Sequence, residues 1–323
     1  MLIEALTILA GVVVVLILAE MIVENSMRLA GHYGLSGTFI GLTVLSIGTS
    51  IPEILTHIIG SVNILQDPSS MNTLSGLLLG TNIGSDIFQQ NFVMGIIGLF
   101  GAIIVIRKNL NVQVGALIGA AALVWLFALG GRINRIEGLL LVVAYIVYLI
   151  YLKVINVREE TIELNNLSKK NILWAIFLII VGFIIMGFAT NIVLKVSEVL
   201  VNFLPISASF FGIILLGIAA ALPELSTSLI AVLRKKKGVS VGILIGSNIT
   251  NPLFGIGLGA LISEYTVPKV LVVYDLPVKI GTALLIYYFL WRNEQLNRWE
   301  AIVLMTLFIG YIILRVHFFP TDF

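Results

Sequence analysis

Read for polarity alone, the chain is a series of long apolar runs separated by short polar ones. Ten runs are long enough to cross a bilayer as helices, which takes roughly 20 residues. They cover about 3–24, 37–63, 72–100, 112–130, 136–154, 171–194, 207–232, 239–263, 273–291 and 298–316. The longest polar stretch, Asn156 to Lys170, divides them five and five. The pattern predicts an all-α integral membrane protein of ten transmembrane helices. A first five-helix block (1–155) is joined by a cytoplasmic linker (156–170) to a second (171–323). The first 23 residues carry neither a basic leader nor a small-residue cleavage site, so they are expected to be a retained first helix.

Two of these runs break their own apolar pattern in the same way. Gly41 to Ile54 contains Gly48-Thr49-Ser50-Ile51-Pro52-Glu53, and Gly212 to Leu225 contains Ala219-Ala220-Ala221-Leu222-Pro223-Glu224. The next run in each block carries a Gly-Ser pair, Gly84-Ser85 and Gly246-Ser247. The longer interval in the first copy matches its longer loop, Asn63 to Thr73. Each block therefore holds two motif helices, about 37–63 with 72–100 and about 207–232 with 239–263. Because five is odd, the second block is expected to enter the membrane the opposite way up. That is the inverted repeat of secondary transporters, whose site lies near the midplane between the repeats.

A carboxylate in hydrocarbon costs several kcal/mol and persists where it faces a cavity or a partner. Pro52 lacks an N–H, and its ring clashes with the carbonyl of Gly48; Pro223 does the same to Ala219. Each motif helix should break there. Carbonyls of Ile47 to Thr49 and of Ile218 to Ala220 then lose intrahelical partners, which hydrocarbon tolerates only where they line a cavity or bind something. A dehydrated cation is the natural partner, with Glu53 and Glu224 beside those carbonyls. Oxygen-only ligands suit Ca²⁺, which accepts about 6–8 oxygens in flexible geometry, better than Mg²⁺. Zinc and copper would ask for histidine or thiolate. Two glutamates also neutralise one divalent ion. Ser85 with Gln89, and Ser247 with Asn251, lie four apart on one helical face and would close the site from the sides. Asp86 and its equivalent Asn248 read as packing or vestibule residues, and His57, one turn after Glu53, as a packed polar residue. Membership of Asp86 or His57 in the ion path stays open at this stage.

Composition agrees. Of 323 residues 59% are hydrophobic and 11% charged, against about 25% charged in soluble domains. There is no cysteine, which excludes disulfides and thiol chemistry. Thirteen Lys and Arg residues fall on one side of the ten runs, among them Arg107, Lys169 and Arg234 to Lys237. Six fall on the other: Arg132, Arg135, Lys195, Lys269, Lys279 and Arg315. The richer side should be cytoplasmic, placing both termini outside the cytoplasm, in the cell membrane. The net charge of +2 is thus topology, not affinity for nucleic acid.

The doubled signature resembles the cation/Ca²⁺ exchanger superfamily, and its prokaryotic sodium/calcium exchanger branch in particular. The resemblance implies an antiporter that exports Ca²⁺ by alternating access in exchange for a monovalent cation. It places Glu53 and Glu224 as the central Ca²⁺ carboxylates, with the carbonyls of Thr49 and Ala220 completing the site. Hydroxyls of Thr49, Ser50, Ser85 and Ser247 would form the Na⁺ sites. The chain departs from that pattern in two ways. Ala220-Ala221 replaces the second Thr-Ser pair, and Gln89 and Asn251 stand where Asn and Asp are usual. The family signature puts Na⁺ first as the driving ion; a Na⁺ site drawing on the second repeat is weakened, which makes H⁺ the runner-up, since two facing glutamates can carry protons. A cation channel is the alternative of a different class. The paired carboxylates suggest a constriction, but no filter-like segment is visible. No enzyme motif, nucleotide loop or cofactor site is seen, and a monomer is expected.

Overall fold

Prolines and π-turns set where the helices of the computed structural model bend. The structure describes residues 2–32, 41–101, 103–105, 107–155, 167–203, 206–233, 237–320 and 322. The bulk of the expected linker, the start of the second run and the Arg234–Lys236 basic stretch lie outside the described residues. In the first block, α1 spans Leu2–His32, α2 Ser46–Thr49, α3 Ile51–Gln66, α4 Met71–Phe88, α5 Met94–Leu99, α6 Arg107–Leu110, α7 Ala116–Ala128 and α8 Arg135–Ile155. In the second, α9 spans Lys169–Phe203, α10 Ala208–Phe211, α11 Gly217–Ala220, α12 Leu222–Leu233, α13 Lys237–Thr250, α14 Gly257–Ser263, α15 Leu276–Asn293 and α16 Arg298–Phe318.

Among the described residues, eight helices are long and apolar enough to cross a membrane. The two other expected runs are also helical. One is split at Ser50 into α2 and α3. The other, Met71 to Leu99, carries Asn82, Asp86, Gln89, Gln90 and Asn91, and so falls short on hydropathy. Apolar side chains such as Ile3, Phe188, Leu173 and Trp299 cover the outer helices, as a lipid-facing surface requires. The stretch Lys237–Ser263 is 94% buried, whereas Ile3–Ile22 is 12% buried, so α13 is central and α1 peripheral.

Local geometry recurs between the blocks. π-turns occupy Gly41–Leu45 and Gly212–Leu216, Gln89–Val93 and Asn251–Ile256, Asn111–Gly115 and Leu271–Asp275. These three pairs fall at matching places in the two blocks. Packing is exchanged between blocks too. α4 packs on α10, α11 and their π-turn, and α13 packs on α2 and its π-turn. Two glycines allow this approach. A Cβ at Gly84 would sit 2.5 Å from Ile213 Cα, and one at Gly246 would sit 2.6 Å from Ser46 Cβ. Short pairings link the loops in the same exchanged sense. β1 (Arg132–Ile133) pairs antiparallel with β2 (Tyr265–Thr266). At the other end of α7, Ile104 bridges Gln295, with Val105 N donating to Glu294 O (2.9 Å) and Leu296 N to Ile103 O (3.0 Å).

Two basic residues counted toward the extracytoplasmic side lie inside the bundle instead. Lys279 lies within α15 and Arg315 within α16, both fully buried and ion-paired. The cause is local. Asp275, in the π-turn preceding α15, faces Arg315 (3.3 Å), and Lys279 pairs with Asp86 across the bundle. Each charge thus has a buried partner that replaces water.

Candidate cation site

Both motif helices break where proline demands it. α2 ends at Ser50 (φ −80°, ψ 0°), and α11 ends at Ala221 (φ −80°, ψ −3°). In each case the next helix begins one residue on, with proline in its first turn and glutamate just after it. The missing N–H of Pro52 leaves the Gly48 carbonyl without its helical donor, and Pro223 does the same to Ala219. The two breaks bring Glu53 and Glu224 together, fully buried and near enough to repel one another.

Around the carboxylates the expected residues form a connected set. Ser85 Oγ donates to Glu53 Oε1 (3.2 Å), and Gln89 Nε2 donates to Ser85 Oγ (3.0 Å). Across the interface Ser247 Oγ donates to Gln89 Oε1 (2.5 Å), and so does Asn248 Nδ2 (3.1 Å). Gln89, one residue beyond α4, thereby ties the two blocks together at the level of the carboxylates. Thr49 sits beside Glu224, with its hydroxyl turned to the Ser46 carbonyl (3.3 Å). Ser50 Oγ, Glu53 Oε2 and both oxygens of Glu224 are buried without a hydrogen-bond partner. A buried acceptor left unpaired costs about 1–3 kcal/mol, and more when charged. Three such carboxylate oxygens gather where the two breaks meet.

Ala220 brings no side-chain oxygen. With Ala219, Pro52, Pro223 and Thr56 it borders a cavity of about 60 Å³ that Val12 of α1 and Val193 of α9 close. Asn251 engages Asp86 with its amide. Its Nδ2 donates to Asp86 Oδ1 (3.0 Å), while its own Oδ1 is buried and unpartnered. Asp86, read from the sequence as a packing or vestibule residue, is packed. It is fully buried, lies within electrostatic reach of both glutamates, and accepts a very short contact from Lys279 Nζ. Sequence reasoning missed this pair, although a lysine inside an apolar run was the signal that could have found it.

His57 is a packed polar residue. Its Nδ1 meets Tyr265 OH at 2.9 Å and its Nε2 meets Asn82 Nδ2 at 3.1 Å. Tyr265 OH also meets Ser61 Oγ (2.8 Å). With Glu53, His57 and Ser61 spaced four apart, α3 carries a polar stripe that leads from the site and ends under β2.

A family model described as "Sodium/calcium exchanger protein" matches residues 3–154 and 174–317. An uncharacterized membrane protein of Methanocaldococcus jannaschii is 29% identical over 304 residues, spanning 93% of this chain and 94% of the relative. Sodium/calcium exchanger MaX1 of Methanosarcina acetivorans is 23% identical, over 95% of this chain and 97% of its own. Among solved structures, the sodium-calcium exchanger NCX_Mj soaked with Na⁺ and Sr²⁺ superposes with a TM-score of 0.66 at 28% identity, covering 96% of this chain and 97% of that one. Since both blocks are matched from near one end to near the other, this multi-pass membrane chain belongs to the sodium/calcium exchanger protein family.

Proposed function

We propose that this protein is a secondary antiporter that exchanges Ca²⁺ for a monovalent cation by alternating access, with Ca²⁺ held between Glu53 and Glu224. The observation that carries this reading is the set of three buried carboxylate oxygens with no donor. Among the described residues the other buried acids near the bundle core, Asp86 and Asp275, each face a buried cation, whereas the charges that Glu53 and Glu224 carry when ionised have none. A divalent ion cancels them. Carbonyls of Thr49 and Ala220 and the side-chain oxygens of Ser50, Ser85, Ser247, Gln89 and Asn251 are the candidate further ligands, and sodium/calcium exchangers among the relatives support the choice of ions.

Na⁺ is the leading exchange partner. H⁺ is the second reading, favoured by one observation: the second break offers alanines where the first offers Thr49 and Ser50. Ca²⁺ uptake into Ca²⁺-free vesicles preloaded with Na⁺ at symmetric pH separates them. Uptake should follow internal Na⁺. Uptake that ignores Na⁺ but follows an imposed pH gradient selects the proton reading, and uptake that needs no opposing gradient at all overturns exchange.

The architecture we infer is ten transmembrane helices in two inverted repeats. The exchanged pairings at opposite ends of α7, and the π-turns at matching places, support it. With Lys279 and Arg315 removed from the loop count, the charge asymmetry that orients the chain sharpens, with both termini outside the cytoplasm. The cysteine-free sequence offers a direct test. Ser69→Cys and Lys237→Cys occupy corresponding loops and should label from opposite faces with an impermeant maleimide; labelling from the same face would sink the inversion.

A further inference from the structure

Where the first block has Asp86, the second has Asn248, which bonds Gln89 and the Leu244 carbonyl (2.8 Å) without any ion. The extra carboxylate is matched by an extra ammonium. Lys279 stands in the ninth apolar run, and α7, the corresponding helix of the first block, contains no charged residue at all. Lys279 Nζ meets Asp86 Oδ2, both side chains are fully buried, and Asp86 is adjacent in sequence to Ser85, which donates to Glu53. Asn251, a site residue by sequence, spends its amide on Asp86 and leaves its Oδ1 unpartnered beside the pair.

A buried ion pair of this kind is a poor source of stability, because desolvating both charges offsets much of their attraction. Its position suggests a different job. We infer that the Lys279 ammonium is a resident cation, tethered in a monovalent-cation seat formed by Asp86 and Asn251, so that this seat takes no ion from solution during exchange. Lys279 thereby lowers by one the number of free monovalent ions the protein can bind.

The inference deepens the exchanger reading and rests on it, so the test reads ion binding as well as transport. Purified full-length Lys279→Ala and wild type are melted in choline chloride, NaCl, KCl and methylammonium chloride, and Ca²⁺ uptake is followed in vesicles preloaded with one fixed, low NaCl concentration and with choline, K⁺ or methylammonium chloride as the remaining salt. Removing one partner of a buried pair leaves the other charge exposed to the low dielectric, so Lys279→Ala should lose on the order of a hundredfold in Ca²⁺ uptake in choline. Methylammonium or K⁺ should restore uptake and raise the melting temperature of Lys279→Ala, while methylammonium does neither for wild type. The double variant Asp86→Asn with Lys279→Ala should regain uptake in choline and lose the methylammonium response. A Lys279→Ala protein that responds to methylammonium no more than wild type, or that cannot be recovered folded in any of the salts, overturns the resident-cation role. So does a double variant that responds as strongly as the single. Wild-type uptake in the same vesicles reports separately on exchange itself; if it is absent, the parent reading fails whatever the melting curves show.

Discussion

The two breaks in the membrane-spanning helices share one backbone and differ in side chains. At Ser50 and Ala221 the dihedral angles agree within a few degrees, and a proline and a buried glutamate follow each. Yet the first break presents two hydroxyls and the second presents two methyl groups. Glu53 accepts from Ser85, whereas neither carboxylate oxygen of Glu224 has a close donor among the described residues. The backbone geometry needs only proline and small neighbours, so it tolerates the loss of polar side chains. In the proposed site the loss bears on the ion that each half can hold: divalent binding would draw on the carboxylates and survive it, while the coordination of smaller charges would become lopsided.

The sharpest way to break this comparison is to remove the feature the halves share. Glu53→Gln and Glu224→Gln should each lower Ca²⁺ uptake by at least about a hundredfold with little change in melting temperature, because one remaining carboxylate leaves a buried divalent ion half neutralised. If the halves differ in ion duty, one of these variants will keep substantial uptake, and the shared site is then wrong. The next test restores the missing hydroxyls. Ala220→Thr with Ala221→Ser has room at position 220, since that residue borders the 60 Å³ cavity. Half-saturation by Na⁺ should fall roughly thirtyfold, at ~1 kcal/mol for each of the two new hydroxyl contacts. An unchanged Na⁺ dependence would mean that oxygens from elsewhere already serve that side. The smallest effect separates the two serines. Ser85→Ala removes a donor to a carboxylate and Ser247→Ala removes one to an amide, so the first should weaken Ca²⁺ binding about threefold more than the second, following the greater strength of bonds to charged groups. Calorimetric titration of Ca²⁺ into both variants reads that ratio, and equal losses would remove the asymmetry from the ground-state site.

Much of this was legible beforehand because it depends on short-range rules. Apolar run length located the helices, proline located the breaks, and fourfold spacing put Ser85 and Gln89 on one face. The rest depends on contacts between residues far apart in the chain. Lys279 and Arg315 lie a few residues inside their runs, where a boundary error of that size turns a buried charge into a loop charge. Their partners, Asp86 and Asp275, could be assigned only once α15 was packed against α4 and α16. The same holds for Asn251, whose helical face agrees with the site but whose amide is claimed by Asp86. His57 follows the opposite course. Despite its spacing from Glu53 it reads as a packed polar residue, and Tyr265 and Asn82, distant in sequence, engage both ring nitrogens.

The pairing of every other buried acid near the core has an electrical consequence. A membrane potential does about 2.3 kcal/mol of work on each elementary charge per 100 mV. Lys279 with Asp86, and Arg315 with Asp275, move as neutral dipoles and respond weakly to that field. In the proposed site Glu53 and Glu224 together with one Ca²⁺ sum to zero, so a calcium-loaded half-cycle would run without regard to voltage. Any current must arise in the return half. Two returning monovalent ions make it silent as well, and a third makes it carry one charge, so a current recorded across a planar bilayer counts the exchanged ions directly.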